Sequence, residues 1–179
     1  MKNNVEKFQI TRRSFMRFVA VTIMAALFIL PVTMNAQGAK PNFSGTWAFN
    51  ESKSNLGEGG NFGRASQMTV TQDGNNLSVD RVRTNQNGEA TTTTEKYTLD
   101  GKESVNTSGR GPSKTIVTWS PDGKSLNFAV TRSFERDGQT TEFKTSQVWT
   151  LTDAKTLSVL SVFVMQDQEN KSTMVYDKK

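Results

Sequence analysis

The sequence predicts an all-β fold, an antiparallel up-and-down barrel whose eight to ten strands are joined by tight hairpins. The first observation behind this is a series of turn dipeptides at short intervals: Asp73-Gly74, Asn87-Gly88, Asp100-Gly101, Asp122-Gly123 and Asp137-Gly138. Asn-Gly and Asp-Gly tolerate the positive φ angles of tight antiparallel turns, so each marks a hairpin. Asp153-Ala154-Lys155 stands in the same position without the glycine. The second is strict alternation of apolar and polar residues between those turns. The third is the lack of any helical periodicity after Gln67.

Residues 1–36 read as an export signal outside the fold, with a basic start, an apolar middle and a small-residue end. Lys2, Lys7, Arg12, Arg13 and Arg17 supply the charge. Phe18 to Leu30 is a run of 13 apolar or small residues broken only by Thr22, and Pro31 ends it. A membrane-spanning helix needs ~20 residues, so cleavage after Ala36 is expected, with an uncleaved anchor as the alternative and no stable membrane span once the segment is removed. Thr11-Arg12-Arg13-Ser14-Phe15-Met16-Arg17 resembles the bacterial twin-arginine signal, although an ordinary secretory signal also begins with basic residues. Either route implies a periplasmic or secreted protein. With no cysteine in the chain there is neither a disulfide framework nor a lipid-modified cysteine anchor.

Residues 37–179 form the expected single domain, long enough to bury a core without staples. The whole chain has a net charge of +5, but the first 36 residues hold five basic residues and one acidic. That leaves 17 basic against 16 acidic, a net +1 with the signs interspersed. No electrostatic footprint for nucleic acid remains.

The first strand is Phe43 to Asn50, with Gly45, Trp47 and Phe49 on one face. A glycine two residues before a tryptophan lets another segment pass close to the backbone while the indole plugs one end of the core. Glu51 to Ala65 follows as a glycine-rich loop. No helix follows it, so it is read as a flap rather than a phosphate cradle, with Phe62 as its anchor or as a lid residue.

Alternation then assigns the inward residues: Met68 and Val70, Leu77 and Val79, Tyr97 and Leu99, Val117 and Trp119. Leu126, Phe128, Val130, Arg132 and Phe134 follow, then Phe143, Thr145, Gln147, Trp149 and Leu151. Leu157, Val159, Phe163 and Met165 come next, and Met174 and Tyr176 end the series. Leu160, Val162 and Val164 make the second face of Leu157 to Met165 apolar as well. That strand, at Leu157, Leu160, Val162 and Val164, is therefore a candidate docking edge for a protein partner, or is covered by the flap.

The chemistry is sparse. Histidine is absent as well as cysteine, which removes the usual metal ligands, the thiol nucleophile and the side chain best suited to proton transfer near neutral pH. No cofactor, metal site or enzymatic activity is expected. Glu95 and Glu142 have polar neighbours and read as solvated ladder charges. Arg81, Arg83 and Arg132 keep phase with apolar residues, so each either reaches water past the rim or meets an anion inside. A ligand carboxylate held by the guanidinium fork is the functional form of the second reading.

Gly45-x-Trp47 on the first strand, a long loop straight after it and about eight further hairpin-linked strands resemble the lipocalins, in particular the lipocalin-like domains exported by bacteria. The resemblance implies a barrel that holds a small hydrophobic molecule, a first-strand Trp47 closing the base and a first loop partly covering the mouth. Three features depart from the family pattern: no Thr-Asp-Tyr in mid-chain, no arginine after Arg136 to stack on the tryptophan, and no helix after the barrel. The candidate ligand-binding residues are Trp47, Tyr97, Trp119, Phe128, Arg132 and Trp149. The function expected is that of an exported binding protein for a small hydrophobic or amphipathic ligand. The alternative is a structural or inhibitory envelope module with a filled barrel.

Overall fold

The computed structural model describes residues 39–57, 64–85, 87–108, 111–136, 139–165 and 168–179. The export segment, Phe62 and the Asp137-Gly138 turn lie outside them. The described residues form ten strands and no helix: β1 (Gly45–Asn55), β2 (Gln67–Asp73), β3 (Asn76–Thr84), β4 (Ala90–Thr98), β5 (Glu103–Ser108), β6 (Gly111–Trp119), β7 (Ser125–Arg136), β8 (Gln139–Asp153), β9 (Thr156–Met165) and β10 (Gln168–Lys178). No helix among them is long and apolar enough to cross a membrane.

Every neighbouring pair in the sheet is antiparallel, and the order is β4-β3-β2-β1-β10-β9-β8-β7-β6-β5. The first and last strands of the chain therefore pair, with Trp47 opposite Lys178 and Phe49 opposite Tyr176. The edges of the sheet are β4 and β5, which are consecutive in the chain. The result is a nearly closed antiparallel barrel, as the turn and alternation pattern predicts, with its strand count at the upper end of the expected range.

The β4–β5 seam has no backbone ladder. Instead, Asn106 on β5 clips the edge of β4 with its amide: its Oδ1 accepts from Lys96 N at 2.8 Å and its Nδ2 donates to Lys96 O at 2.9 Å. Thr98 N donates to Ser104 Oγ at 3.2 Å. An exposed strand edge invites further pairing, and these side chains occupy it. The Asp100-Gly101 turn thus joins two strands held by side chains rather than a regular hairpin. This strand also escapes the alternation rule, because its seam residues Ser104 and Asn106 are polar and its one large apolar residue, Val105, is exposed.

The first strand differs from expectation at both ends, starting at Gly45 rather than Phe43. β1 runs on to Asn55, so the loop is shorter than Glu51 to Ala65. The extension is a bulge against β10, with a register shift between Asn50 and Asn55. Asn50 Oδ1 accepts from Lys53 N, Ser54 Oγ donates to Asn50 O, and Val175 N donates to Ser54 Oγ. Side-chain bonds stand in for ladder bonds, which is why this polar stretch reads as loop.

The Leu157 to Met165 segment is not an edge either: β9 pairs with β8 on one side and β10 on the other. Leu157 points inward and is fully buried, whereas Leu160 and Val164 face out at 40% and 42% exposure, in the opposite phase of the pleat. The four residues therefore do not share one docking face.

Candidate functional site in the barrel interior

The two ends of the barrel differ in chemistry. At the end formed by the turns after β2, β4, β6 and β8, the inward side chains pack as a solid floor. Phe43, Trp47, Leu77, Leu126, Trp149 and Leu157 are fully or almost fully buried there. Trp47 Nε1 donates to Phe43 O at 2.9 Å, which satisfies the indole. Phe43 in turn is tied to β2, its N–H donating to Gln72 Oε1 at 3.0 Å.

Gly45 has no room for a side chain. Its φ is 149°, and a Cβ there would lie 2.6 Å from Cε of Lys178. That lysine stem needs the space because its ammonium reaches over the Trp47 ring, 5.2 Å from the centroid. A lysine on the last strand thus sets a cation over the first-strand tryptophan.

The six sequence-predicted ligand residues fall in two groups. Trp47, Tyr97, Phe128 and Trp149 are buried in or just above this floor, and Trp119 is half-buried beside Phe43, with ring centroids 6.1 Å apart. Phe128 lies 4.8 Å from Trp149 and 5.5 Å from Tyr97 between ring centroids. These rings pack on one another and form the base of the interior. Arg132 is separate, farther along β7 towards the other end, with 25% of its side chain exposed.

Above the floor the interior becomes polar. Arg81 is buried over Trp149, its guanidinium carbon 5.3 Å from the ring centroid. Its Nε donates to Glu95 Oε2 at 2.6 Å and its Nη1 to Met68 Sδ at 3.0 Å. Glu95 is 4% exposed and faces inward, not outward as a solvated ladder charge. The residue keeps phase with Tyr97 and Leu99, and its neighbours on β4, Thr94 and Lys96, take the outer face. Tyr97 Oη donates to the same Glu95 oxygen at 2.8 Å. The other oxygen, Oε1, lies 3.8 Å from Nη2 of Arg132.

Of the in-phase arginines, Arg81 thus meets an anion inside rather than water past the rim. Arg81 lies below the rim with an internal carboxylate as its partner, and Arg132 shares that carboxylate at longer range. Burial alone would raise the Glu95 carboxyl, but the Arg81 charge, hydrogen bonds from Arg81 and Tyr97, and the Arg83 charge together hold it below its ordinary value. Burial lowers Arg81, yet Glu95 more than reverses this, so the guanidinium stays charged. Burial pushes the Tyr97 phenol up, which keeps it a neutral donor.

Towards the far end the wall turns aromatic again. Phe134, Phe143 and Phe163, on β7, β8 and β9, are half-buried on the inward phase, with ring centroids 5.3 Å apart for the first pair and 6.0 Å for the second. Phe143 is the cross-strand partner of Arg132. Arg81, Glu95 and these three phenylalanines were not among the sequence-predicted site residues. The alternation pattern carried the phase of the phenylalanines, and the same phase was available for Glu95.

The geometry has counterparts among solved structures. The chain is similar to zebrafish ileal bile acid-binding protein complexed with cholic acid, with a TM-score of 0.52 and 16% identity over 76% of this chain and 98% of that one. It is also similar to a point mutant of the fluorescent protein UnaG, with a TM-score of 0.50 and 19% identity over 76% of this chain and 96% of that one. No protein-family model and no curated protein matches the sequence. At these identities the likeness is one of fold, a ten-stranded antiparallel barrel.

Proposed function

We propose that this chain is an exported binding protein that holds a small amphipathic molecule bearing an anionic group in the upper half of its barrel. The supporting observation is the placement of Arg132. Its side chain is one quarter exposed and stands across from Phe143, and its guanidinium approaches the internal carboxylate only to 3.8 Å. A guanidinium fork so placed has donors to offer a carboxylate, sulfonate or similar anion. The phenylalanines supply the apolar wall, and a mostly apolar lining with a few polar groups is the usual character of a small-molecule site. The cholic acid in complex with the zebrafish protein is an amphipathic acid of this class. Export rests on residues 1–36 and points to a periplasmic or secreted setting, in which the barrel acts as carrier or scavenger rather than enzyme.

The test uses two fluorescent probes with one skeleton, 8-anilinonaphthalene-1-sulfonate and neutral N-phenyl-1-naphthylamine. The purified protein is expected to bind both and to favour the sulfonate, and Arg132→Gln to weaken sulfonate binding roughly tenfold or more, since a hydrogen bond to a charged group is worth about 1.5–3 kcal/mol. Mass spectrometry of a solvent extract of the native protein is expected to find an acidic amphiphile. A protein that binds neither probe and yields an empty extract would overturn the reading.

A second reading, an envelope interaction module, draws on the outward Leu160 and Val164. A self-associating or partner-bound protein with no affinity for either probe would favour it.

A further inference from the structure

If Arg132 receives an anionic ligand, as proposed above, its surroundings before that ligand arrives point to a specificity device. The two oxygens of Glu95 are not equivalent. Oε2 receives Arg81 Nε at 2.6 Å and Tyr97 Oη at 2.8 Å, so the carboxylate is pinned from the side of β3 and β4. Oε1 faces Arg132 Nη2 across the β4–β5 seam at 3.8 Å.

The two arginines accordingly have different jobs. Arg81 is buried, bonded to Glu95 and Met68 and seated over Trp149, so it is committed to the fold. Arg132 is partly exposed and reaches Glu95 by charge alone, beyond hydrogen-bond distance. Because Glu95 is held by two short bonds it cannot follow Arg132, whereas Arg132 can turn away from it. Any anion entering the barrel must therefore compete with Glu95 for one guanidinium.

We propose that Glu95 is a built-in counter-ion that competes with the ligand for Arg132 and so sets the barrel's preference between anionic and neutral molecules. Without an anionic ligand, Glu95 screens the Arg132 charge, and a neutral amphiphile, which does not compete for that guanidinium, binds independently of the pair. An anion is taken only when its bonds to Arg132 exceed what Glu95 already supplies. Specificity is here a difference between two affinities, and the internal carboxylate is its repulsive element.

The experiment is a double-mutant cycle read with the same probe pair. Glu95→Gln keeps an acceptor for Arg81 and Tyr97 but removes the charge. It is expected to tighten 8-anilinonaphthalene-1-sulfonate binding about tenfold and to change N-phenyl-1-naphthylamine binding by less than about twofold. In the Arg132→Gln background the gain is expected to vanish, which separates competition for Arg132 from simple repulsion between Glu95 and the probe. An equal gain in both backgrounds, or no gain in either, overturns the proposal. Arg81→Met with Glu95→Gln removes both buried charges together, an exchange that cores often tolerate, and must show the same Arg132-dependent gain if the single variant does not fold. Failure of the wild-type protein to bind either probe sinks the binding reading itself. Sulfonate binding that depends on Arg132 but not on Glu95 sinks only the counter-ion.

Discussion

A single carboxylate organises the polar half of this barrel, and its neighbours dictate its pH dependence. Glu95 faces Arg81, Arg83, Arg132 and Tyr97, and its folded-state pKa lies below the ordinary 4.5. A carboxyl depressed by folding adds stability that is fully present above the unfolded value and is lost as pH falls through the folded one. Melting temperature followed by circular dichroism from pH 6 to pH 3 should therefore drop below about 4.5, with a shallower drop in Glu95→Gln. Exposed Asp100, Asp122, Asp153 and Asp177 are also held low by their local partners, but they are common to both proteins, so the difference reports Glu95. Parallel curves would mean that ionised Glu95 does nothing for stability. At this scale the sequence was half legible. Phase aligned Arg81 and Arg132 with apolar neighbours but left open whether they met water or an anion, because Glu95 sits among threonines and a lysine that make β4 look wet.

At the scale of elements, the informative strand is the one that breaks the pattern. β5 carries no inward apolar residue and is held to β4 by the Asn106 amide, which replaces two ladder bonds at Lys96. Asn106→Ala should cost roughly 0.5–1.5 kcal/mol, the net worth of solvent-exposed hydrogen bonds, measured by urea unfolding. The Lys96 amide should exchange its hydrogen faster while the β7–β8 ladder keeps its protection. Unchanged protection at Lys96 would show that the seam is held by something else. The turns were well marked locally: Asp73-Gly74 places its glycine at a φ of 53° between β2 and β3. What turn chemistry does not say is whether the strands on either side share a ladder, and at Asp100-Gly101 they do not.

Across the barrel as a whole, an aromatic floor and an arginine-bearing upper half share one sheet, so they should fold together. Trp47 is fully buried, pairs across to Lys178 and bonds Phe43, and its removal leaves a cavity in the floor. Trp47→Ala is expected to cost about 3–5 kcal/mol. Its unfolding, followed by far-ultraviolet circular dichroism and by the fluorescence of the remaining tryptophans, should remain one transition; two separate midpoints would show that the halves unfold independently.

That the domain is all β, roughly where its strands and turns lie, and which phase of nearly every strand is dry could all be read from the order of residues. Those properties are local, written in a two-residue period and in dipeptides that tolerate positive φ. The pairing of β1 with β10, the seam between β4 and β5 and the meeting of Glu95 with Arg132 emerged with the folded chain alone. Such contacts depend on how a closed sheet brings distant strands face to face, and the charge that governs the interior is shared across that closure rather than along any one strand.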